Sequence, residues 1–335
     1  MGVCQDSVNH AFHITWLDSV NTDEYARVVP TYTGGDITGF TIPTIYQDYN
    51  DGVDSPGSRD LSEVVDSASA HRLMFVGTGS AGGSTGLYKL AVTTPAGGVA
   101  PGTFSAWASA SDHTITTGDD QLLPNNYATG DRQATFMTTL SSNLAGGAAS
   151  PVVVLAGFPV DKKLLMWLVH PAASSNFTIG APVMVSTAFG GGTGVRADAS
   201  LSLVSAPNGH TLFVYGDDTS SPQPGLHVTD VDPTGAVSEL PQPTTNTAAR
   251  HAVIATDSMS RPAILYADGA GAIVATLYWP PTSSWLPLAP VATESTPASA
   301  WSITNLWQPG GADTFGYYRD SGAATSTTFS QIRWQ

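Results

Sequence analysis

Arg132 in "GDRQATF", Arg196 in "GVRADAS" and Arg250 in "AARHAVI" each stand just ahead of an apolar run, in a chain with only nine arginines. A guanidinium is a planar fork of N–H donors, so three of them converging on one mouth suit carbonyl or carboxylate oxygens. The alternative is a structural pair for each, with a neighbouring acid such as Asp131, Asp198 or Asp257. Of the eight histidines, His251 alone is well placed, beside Arg250; a neutral, packed or solvent-facing ring is its other reading. Trp301 holds the comparable place in the last such run. Tyr127 lies in "DDQLLPNNYATGD", a long connection of the kind that forms lids and binding loops. Arg132, Arg196, Arg250 and His251 are therefore the expected catalytic donors, with Trp301 and Tyr127 as substrate contacts.

Other chemistry is missing from the letters. There is no HExxH, no cysteine pair and no G-x-S-x-G. "DYNDGVD" resembles a calcium loop, but Gly52 occupies a ligand position and Arg59 stands where the closing glutamate belongs, so it reads as an acidic turn. "GGSTG", "AFGGGTG" and "ADGAGA" are glycine-rich, yet none leads into a helix as a phosphate cradle requires. Neither a metal nor a cofactor is expected. Cys4, the single cysteine, has no internal partner and reads as an inert thiol. A net charge of −15, from 27 acids against 12 bases, repels phosphate backbones and argues against nucleic acid. No apolar run is long enough to span a membrane. The start "MGVCQDS" lacks the apolar core of a leader, and Asn176-Phe177-Thr178 is a lone sequon. Secretion or vesicular passage is the expectation, with a cytoplasmic location left open, as is the oligomeric state.

The elements that must position these residues show in a recurring Tyr-x-Asp. It closes "LFVYGDD" at Tyr215, "AILYADGAG" at Tyr266 and "FGYYRDSG" at Tyr318, about 50 residues apart, which is a repeat period; a fourth copy is Tyr46 in "TIYQDYNDG". Around Tyr266 the chain reads "HAVIATD", "RPAILYAD", "AIVATLYW" and "SWLPLAPV", four short apolar segments divided by turn residues. The same parse fits "ASLSLVSA" to "AVSELPQP", "QATFMTTLSS" to "FTIGAPVMV", and "EVVDSASA" to "FSAWASAS". Four strands per repeat make the chain all-β and its repeats β-propeller blades. Tyr-x-Asp closes the second strand of a blade, where the aspartate enters the hairpin and bonds local amides. The aromatics of "YWPPTSSW" fall on outer strands and are expected to pack blade on blade.

The last blade shows only three strands, "WSITNLWQ", "DTFGYYRD" and "TSTTFSQIRW". The segment "HAFHITWLD" is expected to supply the fourth and close the ring. Residues 19 to 62 then hold two good strands, "EYARVVPT" and "GFTIPTIYQD". The expectation is a single β-propeller domain over 1–335, five regular four-stranded blades plus one irregular N-terminal blade, with seven not excluded. The hairpins resemble those of fungal fucose-specific propeller lectins.

The four glutamates and the tryptophans do not recur at matching blade positions, which argues for one site over several. One aromatic pocket with a few fixed donors suits a reaction driven by shape, where holding two fragments in near-attack geometry supplies about 7–11 kcal/mol. Cycloaddition needs no proton shuttle. The irregular ring and its repeats resemble the asymmetric β-propeller hetero-Diels-Alderases of fungal tropolone sesquiterpenoid pathways, which join a tropolone quinone methide to a humulene-type olefin. That resemblance implies a cofactor-independent hetero-Diels-Alder cycloaddition on a small hydrophobic organic substrate. The alternative is a secreted, lectin-like carbohydrate-binding propeller.

Overall fold

The computed structural model describes the chain apart from Met1, Asn9, 18–22, Gly35, 41–43, 48–59, 79–84, 92–136, Val160, 174–176, 191–199, Ser258, Gly271, 288–291, 294–300, 307–313, 321–326 and 334–335. The described residues are all-β, with 26 strands and a single 3-10 turn at Pro280–Thr282. They fall into two compact units, residues 1–156 with 165–183, and residues 157–164 with 184–335.

In the first unit, β1 (Gly2–Gln5), β2 (Phe12–Leu17) and β3 (Asp23–Val28) pair in turn. β4 (Pro30–Thr33) and β5 (Asp36–Phe40) form a separate hairpin, whose Phe40 ring meets Phe12 edge-on at 6.2 Å. β6 (Thr44–Gln47) returns to β3, giving the order β1-β2-β3-β6. Three expectations are corrected here. β2 is the segment expected to complete the last blade, but both its edges are taken by β1 and β3. The N-terminal region has four strands in one sheet because Gly2–Gln5, too short to show alternation, supplies β1. Tyr46 lies in β6, the edge strand, and not in a second strand.

β7 (Asp60–Val65), β8 (His71–Thr78) and β9 (Thr85–Ala91) form the next meander; the expected fourth strand at "FSAWASAS" lies outside the described residues. β10 (Met137–Leu140), β11 (Val152–Phe158), β12 (Lys163–Pro171) and β13 (Phe177–Ile179) follow in order, with β14 (Val183–Ser186) also on β12. β11 is buried along its whole length, as the unbroken run "VVVLAGF" implies for a strand covered on both faces. The run "FTIGAPVMV" is two strands, since nine-residue β12 is long enough for both. The first strands β7 and β10 lie side by side and are stitched by side chains. Asp60 of β7 accepts from Thr139 Oγ1 (2.5 Å) and Leu140 N (3.0 Å) of β10, while Asn143 takes Val65 N at 2.7 Å and donates back to Val65 O at 3.0 Å.

In the second unit, β15 (Leu201–Ser205), β16 (Thr211–Asp217), β17 (Gly225–Val231) and β18 (Val237–Glu239) make a four-stranded meander. β19 (Arg250–Thr256), β20 (Pro262–Ala267), β21 (Ala272–Trp279), β22 (Ser284–Pro287) and β23 (Ala292–Thr293) make the next, with β22 and β23 both on β21. β24 (Trp301–Leu306), β25 (Thr314–Asp320) and β26 (Thr327–Arg333) make a three-stranded sheet. Leu212, Val214, Leu226 and Val228 of one meander pack on Ala252, Ile254, Ile264 and Tyr266 of the other. Each buried Leu, Ile or Val here contributes about 1.5–3 kcal/mol, so this cluster outweighs any single turn contact. Trp285 also packs against it and donates Nε1 to Pro241 O at 2.6 Å, as expected of an outer-strand aromatic.

The turns set the register. Asp66, Asp232, Asp257 and Asp268 each accept, on Oδ1, the amides two and four residues ahead, at 2.7–3.0 Å. In the first three, the residue three ahead (Ser69, Gly235, Ser260) has positive φ. Asp268 is the Tyr-x-Asp aspartate behind Tyr266 and behaves as expected, with Gly269 at φ +82 beside it. Asp217 differs: its carboxylate takes the hydroxyls of Ser186 (2.5 Å) and Ser221 (3.0 Å), and the next residue, Asp218, accepts the local amide of Ser220.

Candidate functional site around Arg250

Arg250 is the first residue of β19 and is half-buried. Its acid candidate is taken, because Asp257 Oδ2 binds Arg261 at 2.5 Å to Nη2 and 2.6 Å to Nε. That pairing is local to one hairpin, and Arg261 also stacks over Trp279 at 4.9 Å. Among the described residues, no hydrogen bond or ion pair holds the Arg250 guanidinium. An unpaired, part-desolvated guanidinium is costly to keep unless a ligand oxygen meets it.

The strand is irregular at this point. Arg250 faces Ala267 and Val253 faces Leu265, so β19 carries one extra residue between them. His251, inside that bulge, has φ +54, in the left-handed region that L side chains rarely enter. Trp301 opens β24 opposite Arg319, and β24 lies beside β19. Arg250, His251 and Trp301 thus belong to adjacent first strands of one unit. Arg132, Arg196 and Tyr127 lie outside the described residues. Nothing in the sequence signals the bulge, because its left-handed position holds histidine where glycine is usual.

Two polar clusters that sequence reasoning missed are structural in their chemistry. His227, buried in β17, lies flat on Tyr215 with ring centres 5.1 Å apart, its Nδ1 2.8 Å from Glu239 Oε1 and its Nε2 2.7 Å from Gln223 O. With both nitrogens engaged, the ring has none left to shuttle a proton. Burial, then the charges of Glu239 and Asp217, pushes the Tyr215 hydroxyl far up, so it stays protonated. The Tyr215–His227 pairing is set by register between strands, which the letters alone do not display.

In the first unit, buried Glu63 accepts Ser7 N (2.6 Å) and Ser7 Oγ (2.9 Å), and its Oε1 lies 2.7 Å from His71 Nδ1. Ser7 Oγ is 3.3 Å from that same nitrogen. A hydrolytic triad needs serine and acid on opposite ring nitrogens, so this is a clasp holding the β1–β2 turn onto β7. Burial, followed by the charge of Glu63, raises the Cys4 thiol to about 12, in keeping with an inert thiol.

No family model and no curated protein matches the chain. Among solved structures it is similar to AofleA from Arthrobotrys oligospora, at TM-score 0.51 and 9% identity over 99% of this chain and 83% of that one. A form of AofleA with three arginines replaced by alanine gives TM-score 0.53 and 10% identity over 99% and 82%. The fucose-specific lectin from Aleuria aurantia gives 0.50 and 9% over 99% and 90%. At these identities the likeness speaks for the fold, an all-β architecture of propeller-lectin type, in line with the hairpin resemblance.

Proposed function

We propose that the chain is a carbohydrate-binding propeller, one domain over residues 1–335, that holds a sugar at the start of β19. The observation that carries this reading is the half-buried Arg250 guanidinium, unpaired among the described residues, in a fold shared over 99% of the chain with a fucose-specific lectin. That likeness fits the lectin-like alternative better than the cycloaddition catalyst. Two parallel N–H donors match neighbouring hydroxyl oxygens of a pyranose, and part-burial strengthens such bonds. In this reading Trp301, which opens the adjacent strand β24, is the expected aromatic contact for the sugar. Arg132 and Arg196 precede β10 and β15 in the sequence much as Arg250 opens β19, which makes them candidates for further donors.

A neutral glycan array, followed by calorimetry with L-fucose as first probe, tests the proposal. Saturable binding is expected, with Arg250→Ala weakening it about tenfold or more, equal to about 1.4 kcal/mol. Binding by Arg250→Ala at wild-type strength, or no saturable binding to any neutral glycan, overturns it.

A further inference from the structure

The bulge at His251 decides which face of the sheet Arg250 occupies. Side chains alternate along a strand, so one inserted residue exchanges the faces of everything before it. Ala252 and Ile254 lie on the face that packs against the β15–β18 meander, in the cluster with Val214 and Val228. In unbroken alternation Arg250 would fall on that same face, its guanidinium driven among aliphatic side chains. The inserted residue prevents this. Ala249 joins Ala252 and Ile254 in the cluster, while Arg250 becomes the cross-strand partner of Ala267, on the face of Val253 and Leu265. That is also the face away from the β15–β18 meander, in a strand that lies beside β24.

We infer that His251 is a positioning residue: by holding the left-handed bulge it turns Arg250 out of the apolar cluster and presents its guanidinium to ligand. The inference rests on Arg250 being the sugar donor, and it assigns the backbone at 251, more than the imidazole, the decisive part. Bulges that re-aim a side chain are over-represented beside functional sites, and a left-handed non-glycine residue persists only where its surroundings impose it.

The test is a series at one position, His251→Gly, His251→Asn, His251→Ala and His251→Val. Two readouts apply: L-fucose affinity by calorimetry, and the rate at which phenylglyoxal modifies Arg250, followed by peptide mass spectrometry. Tolerance of positive φ falls from Gly through Asn to Ala and is lowest for β-branched Val. Affinity and Arg250 reactivity should fall in that order, with Val at least tenfold weaker than Gly. His251→Ala keeps the test alive should the Val variant fail to fold. Equal affinity and equal reactivity across the series overturn the inference, as does a Gly variant that loses as much as Val, which would point to the imidazole itself. If L-fucose binds no form, wild type included, the sugar reading fails, while the order of Arg250 reactivities still reports on the bulge.

Discussion

Asp60 and Asp66 bracket β7 and respond to their surroundings in opposite directions. Burial raises the Asp60 carboxyl, and its bonds from Thr139, Leu140 and Leu61 only partly offset this. At Asp66 burial also raises, but the Ala70 amide, Arg72 and the Ala68 amide outweigh it and hold the carboxyl low. A carboxyl lowered in the folded state stabilises above its ordinary pKa, and that contribution disappears as pH falls through the folded value; a raised one stabilises when protonated and loses this as pH rises through its folded value. At neutral pH, Asp66→Asn should therefore cost about 1–3 kcal/mol, whereas Asp60→Asn should cost less, since the amide oxygen keeps the bonds from Thr139 and Leu140 and only that from Leu61 is lost. Urea unfolding of both at pH 7 and pH 4 checks this, and a larger loss for Asp60→Asn at pH 7 would refute it. At this scale the sequence placed Arg250 just ahead of a first strand, and it is that strand's opening residue. It could not show that Asp257 prefers Arg261, because that choice is made by hairpin geometry once the strands have paired.

Among elements, the hairpin after β20 is exacting in its backbone. Gly269 sits at φ +82, and a Cβ added there would lie 2.7 Å from Ala248 Cβ and 3.0 Å from Ala248 O. Gly269→Ala should lose about 1–3 kcal/mol from overpacking, with further loss from the left-handed backbone, and lower the thermal midpoint by several degrees. An unchanged melting temperature would show that the β20–β21 turn relaxes freely. Most strands from β7 onward were legible because each is a short apolar run ended by Asp, Gly, Ser or Pro, and the aspartates at those ends do close the turns. What escaped was pairing that depends on length or partner. Gly2–Gln5 becomes a strand only because β2 offers it an edge, and β12 is long enough to gather two short strands where the letters suggest one. The same limit hid the bulge at His251, since a register slip is a relation between two strands.

For the molecule as a whole, the charge of −15 sets the kind of glycan it meets. A neutral sugar bound through hydrogen bonds has no net charge for salt to screen, so L-fucose affinity should stay nearly constant between about 20 and 200 mM salt, while any binding of sulfated or sialylated glycans should weaken at the lower salt. Tighter binding of an anionic glycan at low salt would contradict the neutral-sugar reading. The order in which strands pair has a consequence in time as well as in space. β7 to β9, β15 to β18 and β24 to β26 each take neighbours in sequence as neighbours in the sheet, and so ask for short loop closures only. A chain leaving the ribosome can pair β15 to β18 before Arg250 and the rest of β19 have emerged, so the apolar face on which Ala252 and Ile254 will settle can form first, and the bulge that spares Arg250 from that face can be selected as the strand docks.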